Sequence, residues 1–95
     1  MASEGYHEPV SELSAKTRDF HRALQSLMEE LEAIDWYNQR VDVCSNEELK
    51  SILIHNRDEE VEHVAMLIEW LRRQDATFEK ELKDYLFTDK DLKHD

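Results

Sequence analysis

A chain of 95 residues with a single Gly, a single Pro and 37% charged residues is too short for a second domain and too poor in turn formers for a hairpin-rich β fold. An all-α domain with a thin core of its own is expected. Its net charge of −11 excludes nucleic acid and anionic membrane surfaces as partners, and no apolar run approaches the length of a bilayer span.

The opening residues, "MASEGYHE", have no helical period and neither the basic nor the apolar region of a secretory signal. Residues 1–8 are read as a flexible arm, on a protein expected to be cytosolic. A helical domain is expected over residues 9–89, with Pro9 near its first turn and Ser11 as an alternative cap. From Leu13 onward, Phe20, Leu24, Leu27, Leu31, Ile34 and Val41 recur on one helical face, which predicts a helix to about Arg40. The segment "DVCSNEELK" breaks this period and restarts it, with Ser45 or Asn46 as N-cap and Glu47 and Glu48 suited to a first turn. Cys44 lies in that turn and is the one cysteine. Intrachain disulfides and thiolate zinc clusters are thereby excluded, and any metal site must use His and carboxylates.

The second helix is expected to run to about Gln74. Its seam reads Leu49, Leu53, Asn56, Glu60, His63, Leu67 and Trp70, spaced alternately four and three as in a bundle. A short third helix is expected over Phe78 to Phe87, from the spacing of Phe78, Leu82, Tyr85 and Leu86. Residues 90–95 read as a frayed polar tail.

An amide, a carboxylate and an imidazole thus interrupt an otherwise apolar line. Burying a lone carboxylate costs several kcal/mol unless a cation or proton accompanies it. Glu60 and His63 are three residues apart, so both side chains reach one point, and a carboxylate oxygen beside an imidazole nitrogen suits divalent iron or manganese. The first helix has a matching interruption: Glu30 lies on the line Ala23, Leu27, Glu30, Ile34, Tyr37. In an antiparallel hairpin Glu30 and Glu60 fall at similar heights. A di-iron carboxylate bundle takes a Glu from each of two helices and a Glu-x-x-His from each of two others. This chain holds half that inventory, and a two-fold dimer would complete both the four-helix bundle and the site. Spacing alone does not make a site, since Glu4 and His7 repeat it in the arm.

The runs "MEELEAIDWYNQRVD", "LIHNRDEEVEHVAM", "EWLRR" and "YLFTD" together resemble the encapsulated ferritins of bacteria, over about Pro9 to Asp89. The resemblance implies a ferritin-like two-helix hairpin with a short C-terminal helix, dimerising into a four-helix bundle and assembling as an annular homodecamer. It implies a ferroxidase that oxidises Fe²⁺ with dioxygen at a di-iron centre, serving as cargo inside an encapsulin nanocompartment. By residue match, Glu30, Glu60 and His63 would hold the irons, two per dimer site, with Tyr37 beside the centre. Glu29, Glu32 and Trp36 resemble a metal entry site, and His55, Glu59 and Glu62 a peripheral metal site. Other divalent cations such as Ca²⁺, Mn²⁺ or Zn²⁺ would be able to substitute. Members usually end in a Gly-rich tail with an apolar docking signal. The closing "TDKDLKHD" does not resemble one, so targeting to a shell rests on the resemblance alone.

The residues leave other readings open. His55, Glu59 and Glu62 also fit a solvated acidic face, and Glu29 and Glu32 fit solvent charges or an electrostatic funnel for cations. Tyr37, Trp36 and Trp70 fit packing roles, Asn56 fits a partner that orients a ligand, and His21 and His94 read as surface residues. A bundle that binds divalent metal without catalysis, or a helical interaction module, would keep the same seam.

Overall fold

The computed structural model describes residues 5–93. A 3₁₀ turn, Val10–Glu12, precedes three helices: α1, Ala15–Val43; α2, Glu47–Gln74; and α3, Ala76–Tyr85. Among the described residues there is no strand, and no helix is long and apolar enough to cross a membrane. The chain is all-helical, as its composition implied.

The helix ends follow from side chains competing for orphan backbone groups. Asn46 Oδ1 accepts from the Leu49 N–H at 2.9 Å, so of the two expected caps of α2 Asn46 serves and Ser45 does not. The cap of α1 is Ser14, whose Oγ accepts from Thr17 N–H at 3.1 Å, and neither Ser11 nor Pro9 has that role. Leu13 is extended, with φ −83° and ψ 142°, so α1 starts later than the apolar period alone indicated. Asp75 both ends α2 and starts α3: its N–H bonds Leu71 O at 3.1 Å, and its Oδ2 accepts from Phe78 N–H at 2.9 Å. The third helix therefore begins at Ala76, ahead of Phe78. It stops at Tyr85, and Phe87 adopts φ 54°, the left-handed position after a helix that Gly commonly fills. The only Gly, Gly5, has φ +76°, and a Cβ there would stand 3.2 Å from His21 Cε1. Backbone and ring meet closely at that point, and Tyr6 stacks on His21 with centroids 4.1 Å apart. His21, read as a surface residue, is half-buried. His94 and Glu4 lie outside the described residues.

The cross-helix contacts establish an antiparallel hairpin. Phe20 meets Trp70, Glu30 meets His63 and Asn38 Oδ1 accepts from Arg57 Nε at 3.1 Å, so numbers fall on α2 as they rise on α1. Arg72 holds α3 against α2, bonding Glu69 at 2.7 Å on its own helix and Glu79 on α3.

The hairpin encloses very little. Among the described residues, only Ala23 and Leu71 are buried apolar residues. Leu31, Met28, Ile52 and Met66 remain 50 to 58% exposed. A radius of gyration of 17.0 Å exceeds the roughly 12 Å of a compact domain this size. Each such side chain, already half covered, would contribute about 1 kcal/mol once the rest is covered. The seam is an apolar face that the chain itself leaves uncovered.

Candidate metal centre

Glu30 is presented by the middle of α1, and Glu60 and His63 by the middle of α2, less than one turn apart. Their positions on the facing stripes bring the three side chains together: one ligand atom from each lies within 4.8 Å of the others. His63 Nδ1 is 2.9 Å from Glu30 Oε2 and 3.6 Å from Glu60 Oε1. Among the described residues, no other group of three His, Cys, Asp or Glu side chains converges in this way.

The electrostatics of the triad are those of a site with more negative charge than its own cation can neutralise. Glu60 is pushed above its ordinary value, first by the Glu30 carboxylate sharing a hydrogen bond with it and then by burial. Glu30 is lowered, chiefly because that shared proton stabilises its charged form. His63 is raised, because Glu30 accepts its Nδ1 hydrogen bond while desolvation opposes the shift. Two carboxylates this close do not both ionise easily, so a proton on the pair occupies the place a metal cation would take. Two donors bonded to one ion at about 2.1 Å lie at most about 4.2 Å apart, so the triad needs a contraction of only about half an ångström to hold one. Hard oxygens with one imidazole nitrogen suit divalent iron, manganese or zinc. The nitrogen facing both carboxylates is Nδ1, which is therefore the one placed to ligate. Glu30 and Glu60 side chains are 24% and 22% exposed, and they open onto the uncovered seam. Three such ligands would leave coordination positions for other donors.

Other residues singled out from the sequence are placed as follows. Tyr37 is half-buried on α1, and Arg40, read from the sequence only as the end of the first helix, lies over its ring with the guanidinium carbon 5.2 Å from the centroid. Their three-residue spacing was the available signal. Glu29 is exposed and accepts from Gln25 Nε2 at 3.4 Å. Glu32 and Trp36 are exposed on the same helix. His55, Glu59 and Glu62 are exposed on α2, and Glu59 adds to the field that raises Glu60 and His63. Asn56 is half-buried one turn before Glu60. Cys44 is half-buried in the turn, its Sγ 3.5 Å from Asn46 O.

Known proteins share this arrangement of sequence and fold. The chain is 58% identical over 90 residues to a ferritin-like protein of Thermotoga maritima, covering 95% of this chain and 79% of that one. It is 56% identical over 89 residues to an encapsulated ferritin-like protein of Rhodospirillum rubrum, covering 94% of this chain but 64% of the relative. The crystal structure of protein ne0167 from Nitrosomonas europaea superposes with a TM-score of 0.90 at 67% identity, covering 95% of this chain and 99% of that one. The sequence pattern of the EncFtn-like family matches residues 5–89. The chain belongs to the EncFtn-like family of encapsulated ferritin-like proteins.

Proposed function

We propose that this protein is a ferroxidase whose di-iron site is completed by a second copy of the chain, and that it delivers Fe³⁺ for mineral storage within an encapsulin nanocompartment. One observation carries the reading: a carboxylate-rich triad of two Glu and one His opens onto an apolar seam that the chain itself leaves uncovered. A two-fold axis along the seam would place two triads face to face, giving four carboxylates and two imidazoles for two ions. Buried apolar side chains from four helices would then surround them, as in di-iron bundles.

Fe²⁺ is the substrate and dioxygen the electron acceptor. Glu30 and Glu60 supply hard anionic oxygens, which favour Fe³⁺ over Fe²⁺ and so favour electron loss. His63 Nδ1 and Glu60 give up their protons as the ions bind. Exposed Glu29, Glu32 and Glu59 raise the local concentration of cations. Trp36 beside the former pair would belong to the entry path, while His55 and Glu62 with Glu59 would form a peripheral site. Enclosure in a shell is supported by the name of the Rhodospirillum rubrum relative, an encapsulated ferritin-like protein, and both encapsulin as that shell and a ring of dimers by the family resemblance.

The test is aerobic addition of Fe²⁺ to the wild type and to Glu60→Ala, with ferric absorbance and oligomer mass followed together. Rapid oxidation by a wild-type oligomer and a fall of at least tenfold in the variant are expected. Equal rates, or no oxidation above buffer, would refute the reading.

A further inference from the structure

Two oxidisable rings stand one heptad from the triad, on opposite sides of it. Tyr37 follows Glu30 by seven residues on α1, and Trp70 follows His63 by seven on α2. Two helical turns are a rise of about 10 Å, close enough for electron tunnelling. Because the hairpin is antiparallel, Tyr37 lies toward the turn and Trp70 toward the open end.

Their surroundings differ in a way that matters for electron loss. The Arg40 guanidinium sits over the Tyr37 ring, 5.2 Å from its centroid, and a cation there opposes removal of an electron. Trp70 is half-buried and packs against a neutral ring, Phe20, with centroids 5.5 Å apart and planes at 59°. Lys16 lies over Phe20, at 5.9 Å, and the two arginines that share surface with Trp70 are each paired with a carboxylate, Arg73 with Glu69 at 2.6 Å and Arg22 with Asp19 at 2.7 Å.

We propose that Trp70 is a regenerable one-electron donor that quenches radicals formed at the metal centre, and that Arg40 keeps Tyr37 from that role. The proposal rests on the ferroxidase reading. Two Fe²⁺ ions and two protons convert dioxygen to hydrogen peroxide. A further Fe²⁺ breaks the O–O bond, giving Fe³⁺, hydroxide and a hydroxyl radical. Trp70 then gives one electron and its indole proton, the hydroxyl radical becomes water, and a neutral indolyl radical remains. A later Fe²⁺ supplies an electron and solvent a proton, restoring the indole and leaving Fe³⁺.

The full chain, loaded anaerobically with Fe²⁺ and mixed with one equivalent of hydrogen peroxide, tests this without requiring oxidation by dioxygen. Freeze-quenched paramagnetic resonance is expected to show an indolyl radical in the wild type and in Tyr37→Phe. The signal falls at least tenfold in Trp70→Phe, where a spin trap for hydroxyl radical captures several-fold more adduct. Arg40→Gln adds a tyrosyl signal. Trp70→Tyr keeps an aromatic ring in the packing and changes the signal from indolyl to tyrosyl, which guards against misfolding of Trp70→Phe. An undiminished radical in Trp70→Phe would overturn the proposal. So would a wild-type tyrosyl signal abolished by Tyr37→Phe, or spin-trap yields equal in wild type and Trp70→Phe. Failure of dioxygen to oxidise Fe²⁺ with the peroxide result intact would fault the ferroxidase reading alone.

Discussion

Helix α2 carries two charged clusters within three turns of each other, and they solve opposite problems. At the triad, two carboxylates meet one imidazole. At the junction with α3, Glu69 and Glu79 meet Arg72 and Arg73: Arg72 bonds Glu69 at 2.7 Å and also Glu79, and Arg73 bonds Glu69 at 2.6 Å. The junction is neutral and satisfied, so Glu69 is pulled down to about 2 by hydrogen bonds from Arg72 and then Arg73. The triad has an excess of negative charge, so Glu60 moves the other way. Charge that is balanced within the chain holds the fold together. Charge left unbalanced on an apolar seam marks a place for a ligand.

The largest effect should come from removing the imbalance. Glu30→Leu with Glu60→Leu is expected to abolish iron oxidation, a loss of at least tenfold, while leaving stability unchanged or raising it by about 1 kcal/mol, because an unneutralised pair near a core opposes folding. Thermal melts and ferric absorbance on one preparation would read both quantities. Replacing Glu69 and Glu79 by Leu should do the reverse, loosening α3 by stranding two arginines and sparing iron oxidation. Amide exchange in residues 76–85 would rise several-fold. A double variant at the junction that lost oxidation as fully as the triad variant would break the division.

Acid and base should separate the clusters next. Glu69 falls from 4.5 to about 2 in the fold, so its stabilisation is full above pH 4.5 and is lost as pH drops toward 2. His63 is raised above 6.5. Its stabilisation of the metal-free fold is full below pH 6.5 and disappears as pH rises through the raised value. Denaturation curves for wild type, Glu69→Gln and His63→Gln across pH 3 to 9 would show the acid loss missing from the first variant and the alkaline loss from the second. Metal affinity should climb with pH over the same alkaline interval, because the ion displaces the protons on Glu60 and His63. The smallest effect lies away from both clusters: Asn46→Ala removes the cap of α2 and should cost about 1 kcal/mol without altering oxidation.

The same contrast explains what was readable in advance. Glu30, Glu60 and His63 stood out because each breaks an apolar period, a signal internal to one helix and repeated on the next. The start of α2 was legible because a break in period was followed by two adjacent capping residues, Ser45 and Asn46, of which Asn46 serves. Ser14 was not, since Ser11 and Pro9 offered competing starts and Leu13, though apolar, is extended. The Arg72 network was hidden for another reason. It depends on Asp75 serving two helices at once, which sets the direction of α3 and brings Glu79 back to α2. Tyr6 on His21 was invisible because the arm has no period to read.

The central claim is that the triad is half of a shared site. Anaerobic titration of Fe²⁺ followed by native mass spectrometry tests it directly: a dimer binding two ions per pair of triads, with Glu60→Ala binding neither, is expected. A monomer that takes up iron as tightly as the dimer does would contradict it.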